Sequence, residues 1–428
     1  MFEALKEARQ RSAQKTELKR LLLDCDRLLG EAGESISVSL AHQALRRFQK
    51  MDADTRLAFY DTLATRYNPD ISSIQQALAA YVASQNPRDL IRITQAAEPP
   101  RQELLRRLNR APNGTAKIVQ MREEVLGRIK KSPQLIALDA DFEHLLSSWF
   151  NPGFLRLEKI DWNSPAHLLE KIIQHEAVHA IDGWSDLRRR LEQDRRLFAY
   201  FHPALPDEPL IFVEVALVPE MPDAVNPLLD RKATPDSNSK QYKVATFYSI
   251  SNCQPGLKGI HLGNFLIKRV AEYLKSEFPS LKTFCTLSPI PTLASFISSR
   301  HAIEQKSLSV RHALELNSLK EDVRAHVASS SGVSESLLAS IQKLCAAYLL
   351  QTSPDESVAS DPVARFHLNN GARLERINLH ADASAKGTRQ SFGLMVNYAY
   401  DLDDIENNHE RFVAGEVIAS KQVKNLIS

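Results

Sequence analysis

The chain has 428 residues, 43% of them hydrophobic and 25% charged, which is enough apolar surface for more than one core and too much for a largely disordered protein. Its 54 Lys and Arg against 52 Asp and Glu leave a formal charge of +2, excluding the basic footprint of a dedicated nucleic-acid binder, so an anionic ligand has to be held locally. Four scattered cysteines, Cys25, Cys253, Cys285 and Cys345, include no CxxC pair; they argue against a disulfide framework or a structural zinc site and for a reducing compartment.

The opening MFEALKEARQ mixes charge with apolar residues where a secretory signal would carry an uninterrupted apolar core. No run approaches the roughly 20 apolar residues of a membrane span, and the ending KNLIS is not a peroxisomal tripeptide. A cytoplasmic location with no membrane partner is therefore expected. Up to about residue 150, apolar residues recur at three- and four-residue spacing, as in Leu18, Leu22, Cys25 and Leu29 or Leu104, Leu105 and Leu108. Asn68-Pro69, Asn86-Pro87, Pro99-Pro100 and Pro112-Asn113-Gly114 punctuate the pattern, which predicts a bundle of several helices.

Around Asn151-Pro152-Gly153 the texture changes to short stretches rich in β-branched and aromatic residues. Strands are predicted over Leu210–Val218, Thr246–Ser251, Lys282–Leu287 and Ser391–Tyr400, the first too apolar for an edge position. Between the second and third, Leu262–Ser276 has Leu262, Leu266, Val270 and Tyr273 on one helical face, giving a strand, helix, strand unit. Helical periodicity returns from about 303 to 351. The fold class is thus α+β: an all-α helical bundle over 1–154, then a mixed α/β domain over 155–428 with a helical insertion.

Two motifs bear on chemistry. His175-Glu176-Ala177-Val178-His179 matches HExxH, and Ser164-Pro165 would start a helix over 165–181 to carry it. A metzincin continuation would need Gly at 182 and His at 185, where the chain has Asp182 and Ser185, and Asp182-Gly183 has the look of a helix end. No third ligand stands out, so the motif is read as a helix whose histidines bind no metal. The second motif is the turn from Cys253 to Gly263, with glycines at 256, 259 and 263 between a strand and a helix start. Backbone amides there could crowd a diphosphate, although neither the dinucleotide nor the P-loop pattern is matched and an unliganded glycine-rich turn remains open. Lys268 and Arg269 follow on that helix, as phosphate contacts or as a solvated flank. Arg188, Arg189 and Arg190 form a basic run on another helix, of the kind usually met at surfaces or subunit contacts.

FYSISNCQPGLKGIHLGNFLIKRV, FPSLKTFCTLSPIP, DPVARFHLNNGARLERIN and GLMVNYAY, with PPRQELLRRLN and FHPALPDEPLIFVEVAL before them, resemble the malonyl-CoA decarboxylases. The similarity extends through almost the whole chain. It implies a helical domain followed by a catalytic domain with the fold of the GCN5-related N-acetyltransferases, whose acyl-CoA diphosphate sits on the strand-to-helix turn. Carried over by position, Lys258, Gly259, Ile260, His261, Leu262, Gly263 and Asn264 form the CoA-contacting segment, and Ser288 and His367 are the catalytic pair. Ser249 and Tyr400 match further polar positions of the active site. Some relatives have an acidic residue where this chain has His261. The resemblance also implies malonyl-CoA as substrate, acetyl-CoA as product, and a homo-oligomer, dimer or tetramer, with contacts from the helical domain.

Losing carbon dioxide from malonyl-CoA places negative charge on the α-carbon and thioester oxygen, so the reaction wants a hydrogen-bond donor to the enolate and an acid for carbon. The thioester is itself the electron sink, and no metal or other cofactor is expected. Histidine, with an unperturbed pKa near ~6.5, suits His367 to the acid role, and Ser288 to that of donor to carboxylate or enolate. Ser288 lies in no GxSxG elbow, so no acyl-serine is expected. The competing readings are an acyl-CoA-dependent acyltransferase and a noncatalytic acyl-CoA sensor.

Overall fold

The computed structural model describes residues 2–30, 34–235, 238–260, 266–300, 302–303, 310–329, 334–355 and 360–427. The chain divides into two compact units. The first comprises Met1–Leu155 with His202–Glu208 and Gln254–His261; the second comprises Arg156–Phe201, Pro209–Cys253 and Leu262–Ser428.

The first unit is helical: α1 (Phe2–Leu29), α2 (Glu34–Gln49), α3 (Ala53–Arg66), α4 (Ile71–Ser84), α5 (Pro87–Ala97), α6 (Pro100–Asn109), α7 (Gly114–Leu126) and α8 (Ile136–Trp149). The predicted breaks fall between these helices, and local chemistry explains them. Asp52, Asp70 and Asn86 each accept a backbone N–H at a helix start, while Pro87 and Pro100 open α5 and α6, where a missing N–H costs nothing. Gly114 is forced by space: a Cβ there would lie 2.6 Å from the Asn109 carbonyl oxygen. On α1 the buried stripe is Leu21, Cys25 and Leu28 rather than the predicted Leu18, Leu22, Cys25 and Leu29, because Asp24 also turns inward to take Arg47 and Gln43. Leu104, Leu105, Leu108, Ile118, Phe142, Leu145 and Leu146 complete the core. Helices α4 and α5 pack on each other and contribute no buried residue.

The second unit is built on a mixed sheet of β1 (Arg156–Ile160), β2 (Arg195–Phe201), β3 (Ile211–Val218), β4 (Val244–Asn252), β5 (Thr283–Thr286), β6 (Ser288–Pro289), β7 (Arg373–Asn378) and β8 (Met395–Tyr400). β1 to β4 pair antiparallel in chain order, with β3 in the interior, as an apolar run interrupted only by Glu214 requires. The connection from β4 to β5 runs through α12 (Leu266–Glu277), the predicted strand, helix, strand unit, and the two strands are parallel, a pairing that needs such a crossover. β5 and β6 share one register on β8, Phe284 opposite Tyr400 and Ser288 opposite Val396, and β7 flanks β8 on its other side.

Around the sheet lie α9 (Ala166–His175), α10 (Gly183–Arg190), α11 (Asn226–Leu229), α13 (Leu293–Ser298), α16 (Pro362–Asn369), α17 (Ala385–Ser391), α18 (Ile405–Val413) and α19 (Lys421–Asn425), together with the predicted helical insertion, α14 (Val310–Ser329) and α15 (Glu335–Leu350). Two boundaries differ from expectation. The strand predicted from Ser391 begins only at Met395, since Ser391 ends α17 and Phe392 and Gly393 turn the chain at positive φ. The helix predicted over 165–181 stops at His175, for a reason given below.

Candidate functional site

Ser288, His367 and Tyr400 come from three distant segments and meet in one chain of hydrogen bonds. Ser288 Oγ is 2.9 Å from His367 Nε2, and His367 Nδ1 is 2.8 Å from the Tyr400 hydroxyl. Ser288 Oγ also donates to Thr286 Oγ1 at 2.9 Å, and Thr286 Oγ1 accepts the Tyr398 N–H at 3.3 Å. A serine has one proton to give. With that proton on Thr286, the Ser288 oxygen accepts from His367 Nε2–H, and a neutral ring then has Nδ1 free to accept from Tyr400. The order Tyr400, His367, Ser288, Thr286 is a run of four neutral groups, each donating to the next.

Strand geometry places three of these groups. Thr286 and Ser288 lie two residues apart on the β5–β6 line, so their side chains share a face, and Tyr398 and Tyr400 share a face of β8 for the same reason. His367 comes from α16, which starts at Pro362 with Asp361 as its cap. Its ring stacks on Tyr398 at 4.7 Å between centroids. Ser288, His367 and Tyr400 are all buried. Burial alone lowers the His367 pKa to about 3 and raises that of Tyr400 well above the usual phenol value. The expectation that His367 carries a proton at neutral pH therefore changes: the unperturbed value belongs to a hydrated imidazole, and here the resting ring is neutral.

Ser249 belongs to a different cluster. Its hydroxyl lies 2.7 and 2.8 Å from the two oxygens of Glu176 and gives its one proton to that carboxylate, to which Ser251 Oγ also donates at 3.1 Å. Glu176 also accepts the backbone N–H groups of Val178 and His179, both at 2.8 Å. Folding back on its own main chain is what ends α9 at His175, so the HExxH residues do not share a helical face. The zinc geometry is lost with it: two histidines one helical turn apart are what the motif requires. Among the described residues no group of three or more His, Cys, Asp or Glu is placed to hold a metal ion. Burial lowers the pKa of His179 to about 4.

Asp182-Gly183 starts a helix rather than ending one, with Asp186 accepting the Asp182 N–H. The arginine run on that helix, α10, is largely interior. Arg188 lies over the Trp162 ring, Arg189 pairs with Asp194, and Arg190 pairs with Asp186 and with Glu214, which is fully buried at the centre of β3. Arg190 also donates to the His179 carbonyl at 2.9 Å, joining the two conspicuous motifs of this stretch into one buried ionic network. A surface or subunit-contact reading of Arg189 and Arg190 is excluded by their burial. Lys268 is engaged by Glu406 at 2.9 Å. All four cysteines are free and buried, and burial pushes the Cys285 thiol up to about 12, against a reactive role.

Of the proposed CoA segment, Lys258, Gly259 and Ile260 are described and belong to the first unit; His261, Leu262, Gly263 and Asn264 lie outside the described residues. The turn is seated on α7. A Cβ on Gly256 would fall 2.0 Å from the Val119 carbonyl oxygen, so this glycine is required by close packing, while Gly259 has φ +85° and is required by conformation. Arg122, buried in the bundle, donates to the carbonyls of Gly256 and Lys258 at 3.2 and 2.8 Å and is held by Asp139. Lys258 itself is exposed. Sequence reasoning passed over Thr286 and Asp361, both in pieces already quoted as motifs, and Arg122, which lies outside them; a polar residue within an otherwise apolar strand or cap was the available signal for the first two.

Comparison with known proteins gives the class of this chain as carboxy-lyase. Residues 153–428 match the model of the malonyl-CoA decarboxylase C-terminal domain and residues 67–150 that of its N-terminal domain. The mitochondrial malonyl-CoA decarboxylase of Mus musculus is 34% identical over 360 residues, 79% of this chain and 73% of the relative, and that of Anser anser anser is 33% identical over 347 residues, 76% and 69%. The crystal structure of malonyl-CoA decarboxylase from Rhodopseudomonas palustris superposes with a TM-score of 0.84 at 45% identity, covering 95% of this chain and 99% of that one. The corresponding structure from Agrobacterium vitis gives 0.83 at 45%, covering 96% and 100%. The chain belongs to the malonyl-CoA decarboxylase family.

Proposed function

We propose that this chain converts malonyl-CoA and a proton to acetyl-CoA and carbon dioxide at Ser288, His367 and Tyr400, without a metal or other cofactor. The observation that carries the assignment of residues is the hydrogen-bonded chain from Tyr400 through His367 to Ser288. Malonyl-CoA brings a carboxylate, and a negative charge set against a buried neutral imidazole favours the imidazolium, so the proton enters with the substrate. The bond between the α-carbon and the carboxylate breaks, its electron pair passing into the thioester to give the enolate. Ser288 turns its hydroxyl from Thr286 to the enolate and passes a proton to the α-carbon, and His367 Nε2–H replaces it. Tyr400 donates to Nδ1 of the resting ring and turns to accept Nδ1–H of the charged one, holding the entering proton there while Nε2–H is spent. The ring returns to neutrality with that proton on Nδ1, one proton is consumed per turnover, and the resting form is restored when Nδ1 gives its proton up through Tyr400 and Nε2 takes one from solvent. Ser249, fixed by Glu176, serves as a further polar group of the site, and the segment Lys258 to Asn264 receives the CoA diphosphate.

The test is carbon dioxide release from carboxyl-labelled malonyl-CoA by chelator-treated protein, wild type against Ser288→Ala and His367→Ala. Release lost in both folded variants supports the assignment. Full release in either removes that residue from the chemistry, and acyl transfer or binding without turnover by the wild type overturns the reaction itself.

Self-association and a cytoplasmic location complete the proposal. Ile71, Leu78 and Val82 are 71, 50 and 64% exposed along α4, which has no charged residue, and Leu90 and Ile91 on α5 are 49 and 56% exposed. An uncharged apolar stripe of this kind fits a second copy of the helical unit. Sedimentation equilibrium at micromolar concentration is expected to give a dimer or tetramer, and a 48.1 kDa species alone would refute this. Among the described residues no helix is long and apolar enough to cross a membrane. The cytoplasmic assignment rests on four free, buried cysteines and is checked by fractionation of the source cells.

A further inference from the structure

We infer that Asp361 is a positioning residue that sets the distance between Ser288 and His367 by tying their two segments together. This rests on the reading of Ser288 and His367 as the reacting pair. Asp361 is 1% exposed, and its two oxygens face different parts of the chain. Oδ1 accepts the backbone N–H groups of Val363 and Ala364, both at 3.0 Å, and so caps α16, the helix that carries His367 one and a half turns on. Oδ2 accepts both the N–H of Thr292, at 3.2 Å, and its hydroxyl, at 2.6 Å. Thr292 follows Ser288 by four residues, through Pro289-Ile290-Pro291, in which two prolines fix φ and remove slack.

Proton accounting extends the tie. Thr292 gives its one hydroxyl proton to Asp361, so the Tyr348 hydroxyl, 2.9 Å from Thr292 Oγ1, is the donor of that pair. Tyr348 belongs to α15 of the helical insertion and stacks on Phe296 at 4.2 Å between centroids. The carboxylate thus takes four donors from two segments. Burial raises the pKa of Asp361 and these hydrogen bonds oppose the rise. Cutting the Oδ2 side would let the loop after Ser288 drift relative to α16, and a displacement of about 1 Å in a reacting group costs up to about 100-fold in rate. The Oδ1 side is an ordinary helix cap, and the two functions can be separated because each oxygen serves only one.

The experiment compares decarboxylation kcat and KM, with thermal melting, for wild type, Asp361→Ala, Asp361→Asn, Thr292→Val and the Asp361→Asn/Thr292→Val double variant. Asp361→Ala is expected to lower kcat by roughly 30- to 100-fold with KM within about threefold. Asp361→Asn, which keeps the cap through Oδ1, is expected to recover most of the melting temperature and to share a loss of about five- to tenfold in kcat with Thr292→Val. The double variant should fall no further than its worse parent, because both changes cut one connection. Folded Asp361→Ala with wild-type kcat, or additive losses in the double variant, would overturn the inference. Ser288→Ala and His367→Ala, run alongside, separate the two claims: if both keep wild-type release the assignment of the pair has failed, whereas if they abolish it and Asp361→Ala does not, only the tie has failed.

Discussion

The second unit contains two buried polar regions built on opposite principles. In one, Tyr400, His367, Ser288 and Thr286 form a run of neutral groups in which both hydrogen bonds of the His367 ring have a second possible direction. In the other, Arg190, Glu214, Asp186, Arg189 and Asp194 are held as ion pairs. A neutral chain can pass a proton along without stranding a charge in a low-dielectric interior. A network of paired charges cannot, because moving any proton leaves a buried partner uncompensated. The first region has the properties of a reacting centre and the second those of a scaffold.

The largest expected effect tests the first half of that contrast. His367→Ala should lower kcat by about 10²- to 10⁴-fold, the usual contribution of a positioned general acid. Melting should fall as well, because the change removes a buried ring and leaves the Tyr400 hydroxyl without its acceptor, so turnover is compared per folded molecule. Arg190→Met tests the second half. It leaves Glu214 buried at the centre of β3 without its cation, where burial already pushes its pKa up to about 7, and the cost of losing the pair and neutralising that carboxyl is expected to be about 3–5 kcal/mol in denaturant unfolding. The folded fraction should turn over normally, and Arg190→Met/Glu214→Leu should regain much of the loss. If Arg190→Met abolishes turnover with unfolding unchanged, the division between the two regions is wrong.

The same contrast explains what could be read from the sequence. The helical half was legible because its punctuation is local: Pro87, Pro100 and the Asp and Asn caps act within one turn of themselves. The strand order from β3 through α12 to β5 was legible for a similar reason, as apolar runs and a single amphipathic helix force a parallel return. β1 and β2 were not, since RLEKI and RRLFAYF read as charged surface until Asp194, Glu277 and the Gln193 carbonyl are found to meet Arg195 and Arg196. HEAVH misled because the pattern is defined on a helix, and whether Glu176 faces solvent or turns back on its own amides depends on Ser249 and Ser251, more than 70 residues away. Ser288, His367 and Tyr400 lie within motifs that carried the family resemblance, but nothing local in TLSP or RFHL announces that their side chains meet. The cap at Asp361 was readable in DPVARF; its second grip, on Thr292, was not.

A smaller effect follows from pH. His367 in the folded chain has its pKa lowered to about 3 from an ordinary 6.5, and His179 to about 4, both by burial. Below about pH 6.5 the unfolded chain binds protons at these sites that the folded chain refuses, so stability is full above that pH and declines as pH falls toward the folded values. Each group contributes a slope of up to about 1.4 kcal/mol per pH unit within that window. Urea unfolding of wild type and His367→Ala between pH 7 and 4.5 should show a shallower decline in the variant. Equal slopes would mean that His367 is protonated in the folded enzyme and that the neutral chain is misassigned.

The smallest effect is expected at Tyr400. Replacing it by Phe keeps the ring packing and removes only the hydroxyl that donates to His367 Nδ1. A buried ring nitrogen left without its partner costs about 1–3 kcal/mol in either tautomer, since a phenyl ring neither donates nor accepts. The charged ring suffers more, because its Nδ1–H then has no acceptor, so the imidazolium that feeds Ser288 forms less readily. Turnover should fall about tenfold, following the fraction of charged rings. Nitrogen-15 spectra of labelled His367 with a bound malonyl thioester analogue that cannot decarboxylate should show less imidazolium in Tyr400→Phe than in the wild type. A loss in kcat as large as that of His367→Ala, with the imidazolium fraction unchanged, would instead give Tyr400 a direct part in the reaction, because a group that acts only on the ring cannot cost more than the ring itself.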